Sequence, residues 1–107
     1  MKLIDRRTID GSRHFVCLPR SASWQALCEH VALLPGLEIV NFVADGPAEA
    51  WLGFTYRGHR FAVRHEGQEF HFFVDDPRCS DLSLYQVAAH CEGLLGNPPT
   101  GATPTPE

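Results

Sequence analysis

Histidine and cysteine are the residues of this chain with the most specific chemistry, because both ligate metal ions and both take part in catalysis. Three of the six histidines lie in "RGHRFAVRHEGQEFHFF", residues 57–73, among three arginines and four phenylalanines. A metal site made of His59, His65 and His71 would place a ring nitrogen of each about 2 Å from one point. Whether that is possible depends on the elements that carry these residues.

The glycines of "RGHR" and "HEGQ" predict two tight turns, which join three antiparallel strands. We place these turns at Gly58-His59 and Glu66-Gly67. Because successive side chains of a strand face opposite sides, His59 then lies in a turn, His65 at the rim of the inner face and His71 on the outer face. Ring nitrogens at three such positions cannot approach one common point, so we expect no metal ion and no cofactor.

The chain has four cysteines, Cys17, Cys28, Cys79 and Cys91. They form no C-x-x-C pair, and zinc binding would need His or Cys partners that the fold brings from distant positions, so we predict free thiols in a reducing compartment. Cys79 is the candidate catalytic nucleophile, because it precedes a predicted helix and follows Arg78, and both would stabilise a thiolate. The nearby Asp75, Asp76 and Asp81 lack the spacing of a calcium loop.

The remaining patterns predict one α+β domain over residues 1–95. "RHFVCLP" and "LEIVNFVA" have the composition of strands. Apolar residues recur at helical spacing in "WQALCEHVALL", which Ser21 or Ser23 can cap, and in "LSLYQVAAHCEGLL", which follows the possible caps Ser80 and Asp81. The order β-α-β-β-β-β-α predicts an antiparallel sheet of four to five strands with both helices packed on one face. It resembles one half of the fold of TATA-box-binding proteins and, more distantly, the helix-grip folds; a likeness in topology implies no function.

Charge and composition narrow the class of partner. The formal net charge of -4 opposes nucleic-acid binding, which depends on cations that displace counterions from phosphates. The start of the chain has no apolar run of signal-peptide length and no later run approaches a membrane span, so we expect a cytoplasmic protein without membrane contact. Residues 96–107, "GNPPTGATPTPE", lack a large apolar side chain and predict a disordered tail.

Strand parity assigns the large apolar residues to an inner face, the core, and leaves an outer face with small residues at its centre. Around that centre we expect a shallow trough with aromatic and cationic edges, formed by Trp51, Arg60, Arg64, His71 and Phe73. Aromatic residues flanked by arginine are enriched at protein interfaces. We therefore predict a small non-enzymatic binding module, an adaptor, inhibitor or homo-oligomer, whose partner is another protein or a second copy of itself.

Three alternatives are weighed against this prediction. The segment from Met1 to Ile9, in which Leu3 to Ile9 is a weaker extended run, or another copy of the protein can cover the trough and make the aromatic residues purely structural. The chain can also be an enzyme or a small-ligand-binding protein that uses the Cys79 loop or a pocket between helices and sheet. Binding of single-stranded nucleic acid is disfavoured, because "RFAVRHE" lacks the aromatic-Gly-aromatic pattern of the common RNA-recognition sheet.

Overall fold

The computed structural model describes residues 3–43 and 50–96, and these form six strands and two helices. In chain order they are β1 (Arg6–Arg7), β2 (Arg13–Pro19), α1 (Trp24–Val31), β3 (Leu37–Val43), β4 (Trp51–Tyr56), β5 (His59–Glu66), β6 (Glu69–Val74) and α2 (Asp81–Leu95). The strands make one antiparallel sheet in the order β1-β2-β6-β5-β4-β3. Of the predicted tail, residues 97–107 lie outside the described residues.

The α+β class with an antiparallel sheet is confirmed, but the sheet has six strands where four to five were predicted. The strand that was left undecided is β1, in which Arg6 pairs with His14 and Arg7 with Arg13. Two consecutive arginines show no apolar alternation, so nothing in the sequence pattern distinguishes this short strand from a loop. The element order is therefore β-β-α-β-β-β-β-α.

One row of apolar side chains crosses the inner face of the sheet through five strands. The members of this row are Val16, Phe72, Val63, Leu52 and Phe42. The first four are at most 3% exposed. The helices cover the inner face with residues at helical spacing: Trp24, Leu27 and Val31 from α1, and Leu84, Val87, Ala88, Cys91 and Leu95 from α2. Sheet and helices thus share a single core.

Each of the two hairpin turns lies one residue away from its predicted position. The first is Arg57-Gly58 rather than Gly58-His59, because both of its residues have positive φ, 53° and 81°, as a type I′ turn requires. The second is Gly67-Gln68 rather than Glu66-Gly67, because the register of β5 and β6 leaves these two residues unpaired at the tip. Moving a two-residue turn by one position shifts every cross-strand pair by two, so the predicted faces are kept.

Serine residues cap the helices, and a pair of histidines joins them. Ser23 and Ser80 are the N-caps, each one of the two candidates predicted from the sequence. His30 of α1 and His90 of α2 stack with 4.2 Å between their ring centroids. The Nε2 atom of each donates to the backbone carbonyl of the other, at 2.7 and 2.6 Å. This pair, the histidine clasp, adds two hydrogen bonds worth about 0.5–1.5 kcal/mol each to the helix contact.

Arg13 fastens the N-terminal hairpin to the rest of the fold. Its side chain is 9% exposed and donates to the carbonyl oxygen of Ile4 through Nε and Nη2. Its Nη1 lies 3.1 Å from Oδ1 of Asp81 at the start of α2. Asp81 is therefore an ion-pair partner and not part of an acidic group with Asp75 and Asp76.

Asp10 organises the turn of this hairpin and gives it a pH dependence. Its Oδ1 accepts hydrogen bonds from the Thr8 hydroxyl and from the backbone N and hydroxyl of Ser12. These bonds lower the pKa of Asp10 from 3.8 to about 2. A carboxylate whose pKa is lower in the folded chain stabilises the fold above pH 3.8, and that contribution is lost as the pH falls through about 2.

We expect Asp10→Asn, which mimics the protonated carboxyl, to lower the thermal midpoint between about pH 5 and 7 and to make no difference near pH 2. Circular dichroism melts over this pH range measure the effect. Asp75→Asn, at another exposed aspartate, is the matched control and is expected to change little. A deficit in Asp10→Asn that is the same at pH 2 as at pH 7 would contradict the prediction.

Candidate functional site

Two rows of side chains cross the outer face of the sheet. The first runs across β4, β5, β6 and β2 and consists of Trp51, Arg64, His71 and Cys17. The second runs across the same strands and on to β1, and consists of Gly53, Ala62, Phe73, His14 and Arg6. Register partners on neighbouring antiparallel strands have Cβ atoms about 5 Å apart, so each row is a line of neighbouring side chains. The sheet thereby assembles residues from four separate parts of the sequence.

His14 and Cys17 share the outer face because β2 carries a bulge. Between His14 and Val16 the register advances by two residues in β2 for one in β6, so Phe15 is an extra residue. Residues three apart on a regular strand face opposite sides, and one inserted residue returns them to the same side. Phe15 and Val16 are both buried, at 0% and 3% exposure. The bulge therefore places the imidazole next to the thiol.

Three potential ligand atoms meet where the two rows adjoin. The Nε2 atom of His14 lies 3.3 Å from Cys17 Sγ and 3.1 Å from His71 Nδ1, and the sulfur lies 3.4 Å from His71 Nδ1. We call these three side chains the His-Cys cluster. The other ring nitrogen of His71, Nε2, lies 3.6 Å from Oε1 of Glu69.

The surroundings of the His-Cys cluster favour the uncharged forms of His14 and Cys17. Burial, together with the neighbouring His71, lowers the pKa of His14 from 6.5 to about 4. Burial also raises the pKa of the Cys17 thiol, and the Glu69 carboxylate adds to the rise. His14 is therefore neutral at physiological pH, the form in which imidazole binds metals. A bound divalent cation reverses the balance at the thiol, because coordination deprotonates it.

The His-Cys cluster borders an open cleft on the outer face, which we call the outer cleft. Its volume is about 600 Å³ and its lining residues are Arg6, Thr8, His14, Ala50, Trp51, Arg64, His65, Glu66, His71 and Phe73. Residues of the N-terminal hairpin stand at one side of it and Trp51 of β4 at the other. The sequence left open whether residues 1–9 cover the outer face. The described residues of this segment line one side of the outer cleft.

The two aromatic residues predicted as interface anchors already have contacts within the chain. The ring of Phe73 stacks on His14, with 4.9 Å between centroids. The Trp51 ring lies so close to Gly53 that a Cβ atom there would be 2.9 Å from Cζ3 of the indole. Both side chains are partly buried and both line the outer cleft. They are better described as walls of the outer cleft than as free anchors.

The close approach of Trp51 to Gly53 is testable. Gly53→Ala is expected to displace the indole and leave the sheet intact, because the added methyl group meets the far end of a side chain. The displacement should increase acrylamide quenching of tryptophan fluorescence, and a Trp24→Phe background leaves Trp51 as the only fluorescent indole of the two that the chain contains. Gly93→Ala, whose Cβ has no atom within 4 Å, is the control. Unchanged quenching in Gly53→Ala would show that the indole does not lie there.

The other predicted site residues lie apart from the His-Cys cluster. Arg60 lines a separate recess of about 130 Å³. His59 was predicted to lie in the first turn, but it is the first residue of β5 and directly follows the observed turn Arg57-Gly58. His65 packs edge-on against Trp24 with 5.8 Å between centroids, at the rim where it was predicted. His71 thus joins His14 and Cys17 instead of the two histidines nearest to it in sequence.

Cys79 lacks the environment predicted for a nucleophile. It is 4% exposed, and burial, with a further contribution from Asp76, raises its pKa. Arg78 forms an ion pair with Asp76 at 3.2 Å and is therefore neutralised by the carboxylate. A thiol that is buried and protonated is a poor nucleophile.

Sequence reasoning missed His14, Cys17 and Arg6 as members of the site. The available signal was His-x-x-Cys within one predicted strand, and regular alternation separates such a pair.

No helix within residues 3–43 and 50–96 is long and apolar enough to cross a membrane. Comparison of the chain with known proteins finds no matching family model, curated protein or solved structure, so the likeness to half of the TATA-box-binding fold is unconfirmed.

Proposed function

We propose that the protein is a binding module that works through the outer face of its sheet, and that its ligand there is a zinc-class divalent metal ion held by the His-Cys cluster. The observation that carries the proposal is the approach of two ring nitrogens and one thiol sulfur to within 3.4 Å of one another. The proposal replaces the expectation of a protein without a metal cofactor. It retains the expectation that this face, and binding instead of catalysis, is the working feature.

The distances within the His-Cys cluster suit a tetrahedral ion. With Zn–N near 2.0–2.1 Å and Zn–S near 2.3 Å, tetrahedral geometry separates two nitrogens by about 3.3 Å and a nitrogen from a sulfur by about 3.5 Å. The corresponding distances in the cluster are 3.1 Å, and 3.3 and 3.4 Å. An ion in contact with all three atoms lies roughly 1 Å out of their plane, which leaves one coordination position open.

Hydrogen bonding among the three side chains is the competing explanation for their approach. Each of the three contacts can be a hydrogen bond in some tautomer of the two rings. In any neutral tautomer, however, at most two of the three contacts can be hydrogen bonds at once, because a ring nitrogen that carries a proton cannot also accept one. A metal ion satisfies all three atoms at once.

The donor set indicates which ion is bound. Thiolate and imidazole are ligands for zinc and its transition-metal neighbours, whereas magnesium and calcium prefer oxygen. Metal-bound imidazoles commonly have a carboxylate next to their other ring nitrogen, and Glu69 Oε1 lies 3.6 Å from Nε2 of His71. Copper also accepts two histidines and a cysteine, so its affinity needs to be compared with that of zinc.

The test is a metal titration of the full chain after chelator treatment. Zinc is expected to bind at one ion per chain, and cobalt(II) to give the strong visible absorption of a four-coordinate ion with a thiolate charge-transfer band. Cys28→Ser, which changes another partly buried thiol, is expected to behave like the wild type. Failure of the wild-type chain to bind zinc, or a cobalt spectrum without the thiolate band, would refute the proposal.

A second copy of the chain is a further candidate partner, favoured by the position of β3 at one edge of the sheet. This strand is seven residues long, and Val40, which is 54% exposed, lies at an irregularity in its pairing with β4. An exposed edge strand can pair with the edge strand of another molecule. Multi-angle light scattering of the wild type and of Val40→Lys tests this: we expect a dimer that the variant dissociates. A monomeric wild type at high micromolar concentration would exclude this partner.

We also propose a cytoplasmic location. The four cysteines are free thiols, which agrees with a reducing compartment. The expectation against nucleic-acid binding stays a prediction, based on the net charge of -4.

A further inference from the structure

Two guanidinium groups stand beside the His-Cys cluster. Arg64 lies between Trp51 and His71 in the first row, and Arg6 pairs in register with His14 in the second. Both side chains are exposed and line the outer cleft. Within the part of the chain that the structure describes, no ion pair engages either of them, whereas Arg7, Arg13 and Arg78 have carboxylate partners. Both are free to meet an external anion.

The charge of the outer cleft is opposite to that of the whole chain. Its lining contains two arginines and a single acidic residue, Glu66. The Oε1 atom of Glu66 lies 4.0 Å from His71 Nε2, and its charge also acts on His14 and Cys17. A divalent ion at the His-Cys cluster would increase the positive charge further. The cleft is therefore an attractive place for an anion although the chain carries a net charge of -4.

We propose that the outer cleft binds a small organic oxyanion, a carboxylate or phosphate group on an apolar body. The inference rests on the proposed metal site: one oxygen of the anion fills the open coordination position of the ion. Arg64 and Arg6 donate to the remaining oxygens, because guanidinium groups match the geometry of carboxylates and phosphates. Trp51 and Phe73 pack against the apolar body.

The size and composition of the cleft agree with a ligand of this class. Its volume of about 600 Å³ lies within the range of about 300–1,000 Å³ that is usual for small-molecule sites. Such sites combine aromatic walls with a few polar groups that fix orientation. Here the two aromatic walls come from β4 and β6, and the polar groups come from β1, β5 and the His-Cys cluster.

The experiment is a titration of the cobalt-loaded full chain with benzoate, followed by the visible spectrum of the ion. Benzoate is expected to give a saturable spectral change with an affinity about tenfold or more above that of acetate, because its ring buries apolar surface. Phenyl phosphate in a parallel arm shows which oxyanion is preferred. Benzyl alcohol, which has the ring without the charge, is expected to leave the spectrum unchanged.

Matched arginine variants identify the groups that hold the anion. Arg64→Gln is expected to weaken benzoate binding by about tenfold or more without changing cobalt affinity. Arg60→Gln, on the same strand and face but lining the separate recess, is expected to leave both unchanged. Benzoate affinity that is equal in Arg64→Gln and the wild type, or a response to benzyl alcohol equal to that to benzoate, would overturn this inference. Failure of cobalt loading would refute the metal site, whereas loading without any response to oxyanions would refute the anion site alone.

Discussion

Replacement of Cys17 by alanine is expected to lower zinc affinity by more than about 100-fold, because loss of even an outer-shell partner costs about 10- to 100-fold. His14→Ala and His71→Ala are expected to do the same, since each removes one of three protein ligands. Competition with a chromophoric chelator measures the affinities. In the wild type, zinc at about 100 times its dissociation constant should also stabilise the fold by about 2.7 kcal/mol, and the three variants should lose this gain.

The controls for this prediction lie in the same chain. Cys28→Ala and His59→Ala remove one thiol and one imidazole from positions outside the His-Cys cluster, and both are expected to keep wild-type affinity. Circular dichroism of each variant without metal establishes that the fold is retained. Equal zinc affinity in the wild type and Cys17→Ala would show that the cluster is not the binding site.

Phe72→Ala is expected to lower the free energy of unfolding by about 3–5 kcal/mol, the usual cost of emptying a buried phenylalanine site. Phe72 is 1% exposed and lies in the middle of the inner row, between Val16 and Val63. Phe73→Ala is the matched control, because the next residue of the same strand lies on the outer face and is partly buried. Urea unfolding should show a clearly smaller loss for Phe73→Ala, and equal losses would contradict the assignment of faces.

Much of the fold follows from sequence because local patterns determine it. Periodicity of two in the strands and of about 3.6 in the helices sets which side chains are buried. An error of one residue in each hairpin turn left the faces intact, because it shifts the pairs by two. The strand Arg6–Arg7 was predicted only as part of a weak extended run, because its position depends on pairing with β2 and on the anchoring of Arg13 to Asp81. Contacts of that kind are tertiary and produce no periodic pattern in the sequence.

The candidate site was predictable only in part, for a related reason. Parity placed Trp51, Arg64, His71 and Phe73 on one face, and the structure brings these four to one cleft. Regular alternation would place His14 and Cys17 on opposite faces, and the bulge at Phe15 brings them to the same face. The residues around Phe15 do not indicate a bulge, since the bulge arises from how β2 pairs with β6. The most chemically specific group of the molecule therefore depends on one extra residue that local pattern cannot reveal.

The histidine clasp has a consequence for the order of events during folding. Its two residues are 60 positions apart, and the strands β3 to β6 lie between them in the chain. Closing so long a loop costs chain entropy before it gives contact energy, so such contacts tend to form after the local hairpins. We expect His30→Ala to accelerate unfolding in stopped-flow experiments and to leave the refolding rate nearly unchanged, as for a contact that is absent from the transition state. The clasp would then determine how long the native state persists and have little influence on how quickly it forms.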